Sequence, residues 1–444
     1  MKCSTWATVV VAAVVGTAVT AMAQLTERPL DGALKHPAIG YYTQPAHDVV
    51  AALGGHVADG TARLPFDAQT GYLKPVLDAL DVPVASQMLV MSKTGVQALY
   101  TSPSNPRAIY FNDAVTVGYI RGAPLLEIAG QDPQQGILFY TIEQKAQPAP
   151  VIERRPACLS CHQNYATLHV PGLLARSVFM SPEGLALGQF GSYDADDRTP
   201  FRRRWGGWYV TGSDGAMKHI GNAFITETVK REAIVSDDAL HRVEPRALFD
   251  GAGYLSTQSD IVALMVFQHQ SHMSNLITRL GWETRMATYP RTEKTGEHAE
   301  NAEKHFSAIS PPSAVFSGSL KDTVSELVDY LLFTDEEPLP APIKGASGFA
   351  ERFAGMGPAD HQGRSLRQLD LNRRLMRYPC SYMVYSAAFS ALPADARTAV
   401  YVRMWDILSG RDTTPKYARL TEADRRAVVD ILHETIHDLP VDIR

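Results

Sequence analysis

The chain has 444 residues, 45% hydrophobic and 20% charged, an ordinary globular composition with length enough for two or three domains. A net charge of −5, from 42 basic and 47 acidic side chains, argues against nucleic acid or an anionic membrane surface as the main partner. Of four cysteines, Cys3 lies in the N-terminal leader, and the three that remain, Cys158, Cys161 and Cys380, are an odd number too small for a disulfide framework, so cysteine usage has to be explained locally.

Residues 1–23 read as a secretory leader. Lys2 supplies the positive end, "ATVVVAAVVGTAVTA" the apolar run, and Ala21 and Ala23 the small residues before a cut after Ala23. The alternative is an uncleaved N-terminal anchor, because the apolar run approaches spanning length. Cys3 precedes the run and leaves with the leader, and no later stretch is long and apolar enough to cross a bilayer. The expected mature protein is therefore exported, periplasmic and without a stable transmembrane segment.

From 24 to 228 the pattern predicts an α+β region. "PAHDVVAALGG" and "LKPVLDAL" are short helical pieces in a loop-rich start. Between 87 and 143, "QMLVMS", "RAIYFND", "VTVGYIRG", "PLLEIAG" and "GILFYTI" predict an antiparallel meander with one buried face. A proline-broken connection at 147–156 leads to "RRPACLSCHQNYATLHV". Two hairpins are expected beyond it, turning on Pro182–Gly184 and on Ser213–Gly215.

Cys158, Cys161 and His162 fall within five positions, and three chemistries use such a pattern. A redox dithiol usually follows a thioredoxin-like strand, and a proline-broken loop stands here instead. A zinc site needs four ligands, and no second knuckle follows at a suitable distance. Covalent haem is the reading that the C-x-x-C-H spacing favours, with the dithiol and then zinc behind it. Two thiols about one helical turn apart can each add to a vinyl group, and the next imidazole can reach the iron as proximal ligand. The prediction is one haem c per chain on Cys158, Cys161 and His162.

From 229 to 444 the helical period takes over. Residues 259–281 predict a helix with Ser259 as N-cap and Gly281 as stop; further helices are expected at 319–333, 363–377, 394–408 and 421–436. The last opens on Thr421 and Asp424, and "DEEPLPAPIKGASGF" before it reads as a proline-rich loop. On the 259–281 stripe, His269 lies among Val262, Met265, Val266, Met273, Leu276 and Leu280, the position of a core histidine or of a distal iron ligand. His269 ranks first for that role and His219 second; His272, His169, Met180, Met265, Met273, Met383 and Met404 stand behind them. Arg198, Arg202, Arg203 and Arg204, or Arg154, Arg155 and Arg176, are candidates to pair with haem propionates, against the plainer reading of a solvated basic edge. "DADD" reads as a turn, and Cys380 as a small buried residue.

Together, "RRPACLSCH", "VPGLLARSV", "RWGGWYVTG", "HIGN", "LRQLDL" and "RYPCSYMVYS" resemble a family of exported bacterial single-haem cytochrome c domain proteins. The likeness runs from "PRAIYFND" to "VYVRMWDILSG". It implies haem c on Cys158 and Cys161 with His162 as axial ligand, and it implies no substrate and no distal ligand.

The expected function is single-electron transfer, with a redox partner protein or a membrane electron-transfer chain as partner and no nucleic acid. Transfer alone needs only about a hundred residues in a typical small domain. Two rivals therefore stand beside it: a haem peroxidase or oxidase with an open distal site, and a haem-based gas sensor or docking subunit.

Overall fold

The computed structural model describes residues 30, 32–215, 217–225, 241–242, 245–290 and 318–439. The leader and its cut after Ala23 lie outside the described residues, as does the 228/229 boundary. Helices α1 (Val49–Ala58) and α2 (Leu73–Ala79) come first. Asp48 caps α1, one carboxylate oxygen accepting from the Val50 and Ala51 amides at 2.9 and 3.2 Å. Its other oxygen accepts the Tyr140 hydroxyl, which ties the helix to the sheet beside it.

All five apolar runs form strands. They are β1 (Met88–Val90), β2 (Arg107–Phe111), β3 (Val115–Tyr119), β4 (Leu125–Asp132) and β5 (Gly136–Glu143), paired antiparallel in chain order. A sixth strand, β6 (Glu153–Arg154), was hidden in the proline-broken connection. Pro148 and Pro150 carry no amide hydrogen, so only a short edge piece can pair with β5. The fold is thus α+β, as the pattern predicted.

Strand register sorts the sheet into two faces. The row Tyr110, Val117, Ile128, Tyr140 points to a core shared with α1 and α2. The opposite face carries the rows Phe111, Thr116, Ala129, Phe139 and Ile109, Gly118, Glu127, Thr141. From β6 the chain enters a single helical turn, α3 (Leu159–His162), which lies over this second face. Beyond α3, the first expected hairpin forms: β7 (Arg176–Val178) pairs β8 (Ser192–Asp194), closing through Ser181–Gly184 with Gly184 at φ 84°.

The second expected hairpin does not form a regular ladder. The "WGGWYV" run extends the edge of β1 instead, with the Met91 amide bonded to Gly207 and Tyr209 to Leu89, both at 2.9 Å. Asn222 closes the remaining loop by bonding Val210 on both its backbone groups.

The long helix α4 (Ile261–Thr288) crosses the other end of the second face, where Phe267 meets Phe111 edge-on at 5.2 Å. It departs from expectation at both ends. Asp260 is the N-cap, because Ser259 is engaged by the Leu89 amide and the Tyr209 carbonyl. The helix also runs through Gly281, a position that costs about 1 kcal/mol relative to Ala, since Leu280 and Trp282 on either side are fully buried. Helices α5 (Gly318–Leu331), α6 (Ala394–Leu408) and α7 (Glu422–Thr435) complete the core; Thr421 and Asp424 form a reciprocal capping box on α7.

The helix expected at 363–377 is absent. The segment turns back on itself there, with Asp370 bonded to Leu375 and Arg377 to Gln368. The Asp370 carboxylate accepts from the Asn372 and Arg373 amides, and that local turn outcompetes the helix. Among the described residues no helix is long and apolar enough to cross a membrane.

Asp260 also joins two parts of the chain. Its second oxygen accepts from Ala346 N at 2.6 Å, Ser347 N at 2.8 Å and Ser347 Oγ at 2.9 Å, clamping the proline-rich segment to the start of α4. Replacing Asp260 with Ala removes a cap and strands buried donors, so a loss of about 3 kcal/mol is expected in urea unfolding, with Asp260→Asn losing less. Equal midpoints for wild type and Asp260→Ala would refute the clamp.

Candidate functional site

The cysteine motif is fastened to the sheet on both sides. Before it, the Arg155 amide bonds the Phe139 carbonyl at 2.7 Å, and a 3-10 turn (Pro156–Cys158) passes the chain into α3. After it, the Gly172 amide bonds the His162 carbonyl at 2.9 Å. Within the intervening loop, Asn164 and Thr167 cap each other's backbone and the Asn164 side-chain amide donates to Cys161 O at 2.7 Å.

His162 Nδ1 lies 3.0 Å from the Gly172 carbonyl, which can only accept. The proton is therefore on Nδ1 and the Nε2 lone pair is left for a metal, the arrangement that orients a ligating imidazole. Burial pushes this histidine below the ordinary imidazole range, which also favours the neutral ring. Its ring rests on Phe139 with centroids 4.7 Å apart. Cys158 is half-buried and Cys161 exposed, both as free thiols.

The surroundings bear on each of the three chemistries. Burial, with Glu127 adding to it, pushes the Cys158 thiol up, whereas a dithiol nucleophile is made reactive by a lowered pKa. Among the described residues no group of three or more His, Cys, Asp or Glu is placed to hold a metal ion. Haem c needs only the two thiols and one imidazole from this stretch, and these residues fit it. The adjoining sheet face is floored by small residues, Thr116, Gly118 and Ala129. Arg107 on the same face has a buried Nε with no hydrogen-bond partner among the described residues.

The other candidate histidines lie in separate networks. His269 is fully buried; Nδ1 meets the Asp197 carboxylate at 2.6 Å, Nε2 meets Ser381 Oγ at 2.7 Å, and the ring stacks on Phe333 and Tyr330. His219 accepts the Gly221 amide at Nδ1, faces Asp214 at Nε2 and touches Trp205 edge-on. Iron ligation by either would require it to give up one of these bonds. Burial takes His272 down to about 4, so it stays neutral and accepts from Arg198 at 3.0 Å. Met180, Met265, Met273, Met383 and Met404 are buried in the apolar clusters. Cys380 is buried as expected, its thiol pushed up to about 12.

Most arginines of the basic run are already engaged. Arg204 turns inward to the Thr199 and Asp197 carbonyls, Arg198 pairs with Asp196, Arg155 with Glu153 and Arg176 with Asp194, while Arg154 bonds the Tyr41 carbonyl. Arg202 and Arg203 are exposed, in keeping with a solvated edge.

Ser381, His269 and Asp197 repeat the connectivity of a nucleophilic triad. Yet Ser381 is fully buried and its hydroxyl also accepts the Met383 amide, so no substrate carbonyl reaches it in this conformation. The chain serves to fasten α4 to the residues beyond α5. Sequence reading missed the residues that surround the cysteine motif, Phe139, Gly172, Arg107 and Glu127; only the strand alternation hinted that Arg107, Glu127 and Phe139 share a face.

Comparison with family models, with curated proteins and with solved structures finds no match.

Two outcomes follow from the buried network. His269→Ala leaves the Asp197 carboxylate buried without its partner, and a loss of about 3–5 kcal/mol in denaturant unfolding is expected. Glu336, which accepts the Leu375 amide at 2.7 Å, is raised to about 8 by burial and then by Asp197. The native state therefore keeps a proton that the unfolded chain releases, so stability falls as pH rises from about 5 to about 8 and levels off above that. Glu336→Gln keeps the acceptor and should flatten that slope; an unchanged slope in urea midpoints across the window would count against it.

Proposed function

We propose that the chain is an exported, periplasmic mono-haem c-type protein that passes single electrons to a redox partner protein or a membrane electron-transfer chain. One observation carries this reading: Cys158 caps a single helical turn that holds Cys161 and His162 and is fastened to a sheet, with His162 Nδ1 committed to Gly172 and Nε2 left available. When bound to these residues, haem c supplies a one-electron couple at its iron.

The chain's own part is positional and electrostatic. Cys158 stands at the N-cap of the turn and Cys161 within it, three residues apart, and Gly172 sets the tautomer and ring plane of the imidazole. Phe139 bars water from one side of that ring, while Arg107, Glu127 and Arg176 impose their charges on it. A distal ligand taken from His269 or His219 has to leave an existing buried bond, so the ferric spin state is an informative measurement.

The full-length chain, expressed with its own leader in a host that matures c-type haem in the periplasm, is expected to be coloured. Its mass should exceed that of the cleaved polypeptide by one haem that survives denaturation. Cys158→Ala with Cys161→Ala should lose the covalent haem, and His162→Ala should keep it with an altered ferric spectrum. Six-coordinate low-spin iron supports electron transfer, and high-spin iron that binds CO supports an open distal site. A colourless wild-type chain of unmodified mass sinks the reading.

A further inference from the structure

One arginine outside the basic run, Arg107, stands on the face that carries the cysteine turn. Arg107 leaves β2 on the sheet face that also carries Phe139. Its stem crosses β3 over Gly118: a side chain there would meet the Arg107 Cδ at 3.9 Å and the Glu127 carboxylate at 3.3 Å. The guanidinium reaches Glu127 on β4, with Nη1 3.4 Å from the carboxylate. Neighbouring strands are about 4.8 Å apart, so this head group lies roughly one strand from β5, where Phe139 supports His162. Glu127 pairs across the sheet with Thr141, whose hydroxyl accepts from Arg155 Nε at 3.0 Å just before the cysteine turn.

The pair is poorly matched as an ion pair. At 3.4 Å the contact is long for a charge-assisted hydrogen bond, and the Arg107 Nε is buried with no hydrogen-bond partner among the described residues. Glu127 has a better partner in Gln97, whose amide donates to it at 3.0 Å. A guanidinium held by so long a contact, with no hydrogen bond from its side chain among the described residues, is suited to a second carboxylate.

Resting on the haem reading above, we propose that Arg107 is the cationic anchor for a carboxylate of the bound macrocycle, held in place by Gly118 beneath it and Glu127 beside it. The seven arginines singled out from sequence are not needed for this contact. A positive charge at that place disfavours the ferric state relative to the ferrous one, so Arg107 also holds the reduction potential up.

The test is a redox titration of purified holoprotein. Arg107→Gln is expected to retain one covalent haem by mass but to titrate at a lower potential than wild type. Arg107→Lys, which keeps the charge, should recover most of the shift; Glu127→Gln, which removes the opposing charge, should move the potential upward. If Arg107 serves only Glu127 and the fold, Arg107→Gln will unfold at lower urea while its potential equals that of wild type, and the inference is overturned. A wild-type chain without haem overturns the underlying reading, and is recognised by mass before any titration begins.

Discussion

Between residues 162 and 172 the chain makes two hydrogen bonds to itself, Gly172 N–H to His162 C=O and His162 Nδ1–H to Gly172 C=O. This reciprocal pair closes the loop that follows the cysteines, and it depends on the sheet for its footing. Pro171 accepts the Ile137 amide at 3.1 Å, so the loop's far end is held at the start of β5 while β6 holds its near end. A four-residue helix has no stability of its own in water. Its geometry here is imposed by the strand on either side and by the Phe139 ring beneath it.

The same sheet face serves two purposes at its two ends. Toward Ile109 and Phe111 it is apolar and takes the long helix; toward Thr141 and Glu127 it is small and polar and takes the cysteine turn. The first end joins the apolar cluster that holds α4 to α7, where burial drives folding. The second end keeps charge and small side chains where a well-packed core would carry none. A site can be poorly packed in itself when the rest of the face holds the backbone rigid around it.

A different demand is met where α4 meets the residues beyond it. Asp197, Arg204, His269, Glu336 and Ser381 are buried together, and each finds a hydrogen-bond partner. Such a network adds little net stability compared with apolar packing, but removing one member leaves the others stranded. Its connectivity imitates a nucleophilic triad, and its burial argues for a fastening. The distinction rests on access of a substrate to Ser381, which connectivity alone does not report.

Local pattern carried a good deal of this protein. Alternation in five short runs determined the meander and its order, because neighbouring strands joined by short turns have little choice of partner. The spacing of Cys158, Cys161 and His162 determined which chemistries compete there, since reach along one helical turn is a property of the chain itself. Thr421 with Asp424 marked the start of α7 for the same reason. What the tertiary structure decided were matters of distant partners. Gly281 failed to end α4 because buried neighbours outweighed its propensity, and "WGGWYV" joined β1 because that edge lay open to it. His269 proved to be bonded at both nitrogens by residues 72 and 112 positions away. Arg107 came onto the sheet face that supports His162 only through strand register. Periodicity reports which side of an element a residue occupies; what waits on that side is settled when separate elements meet.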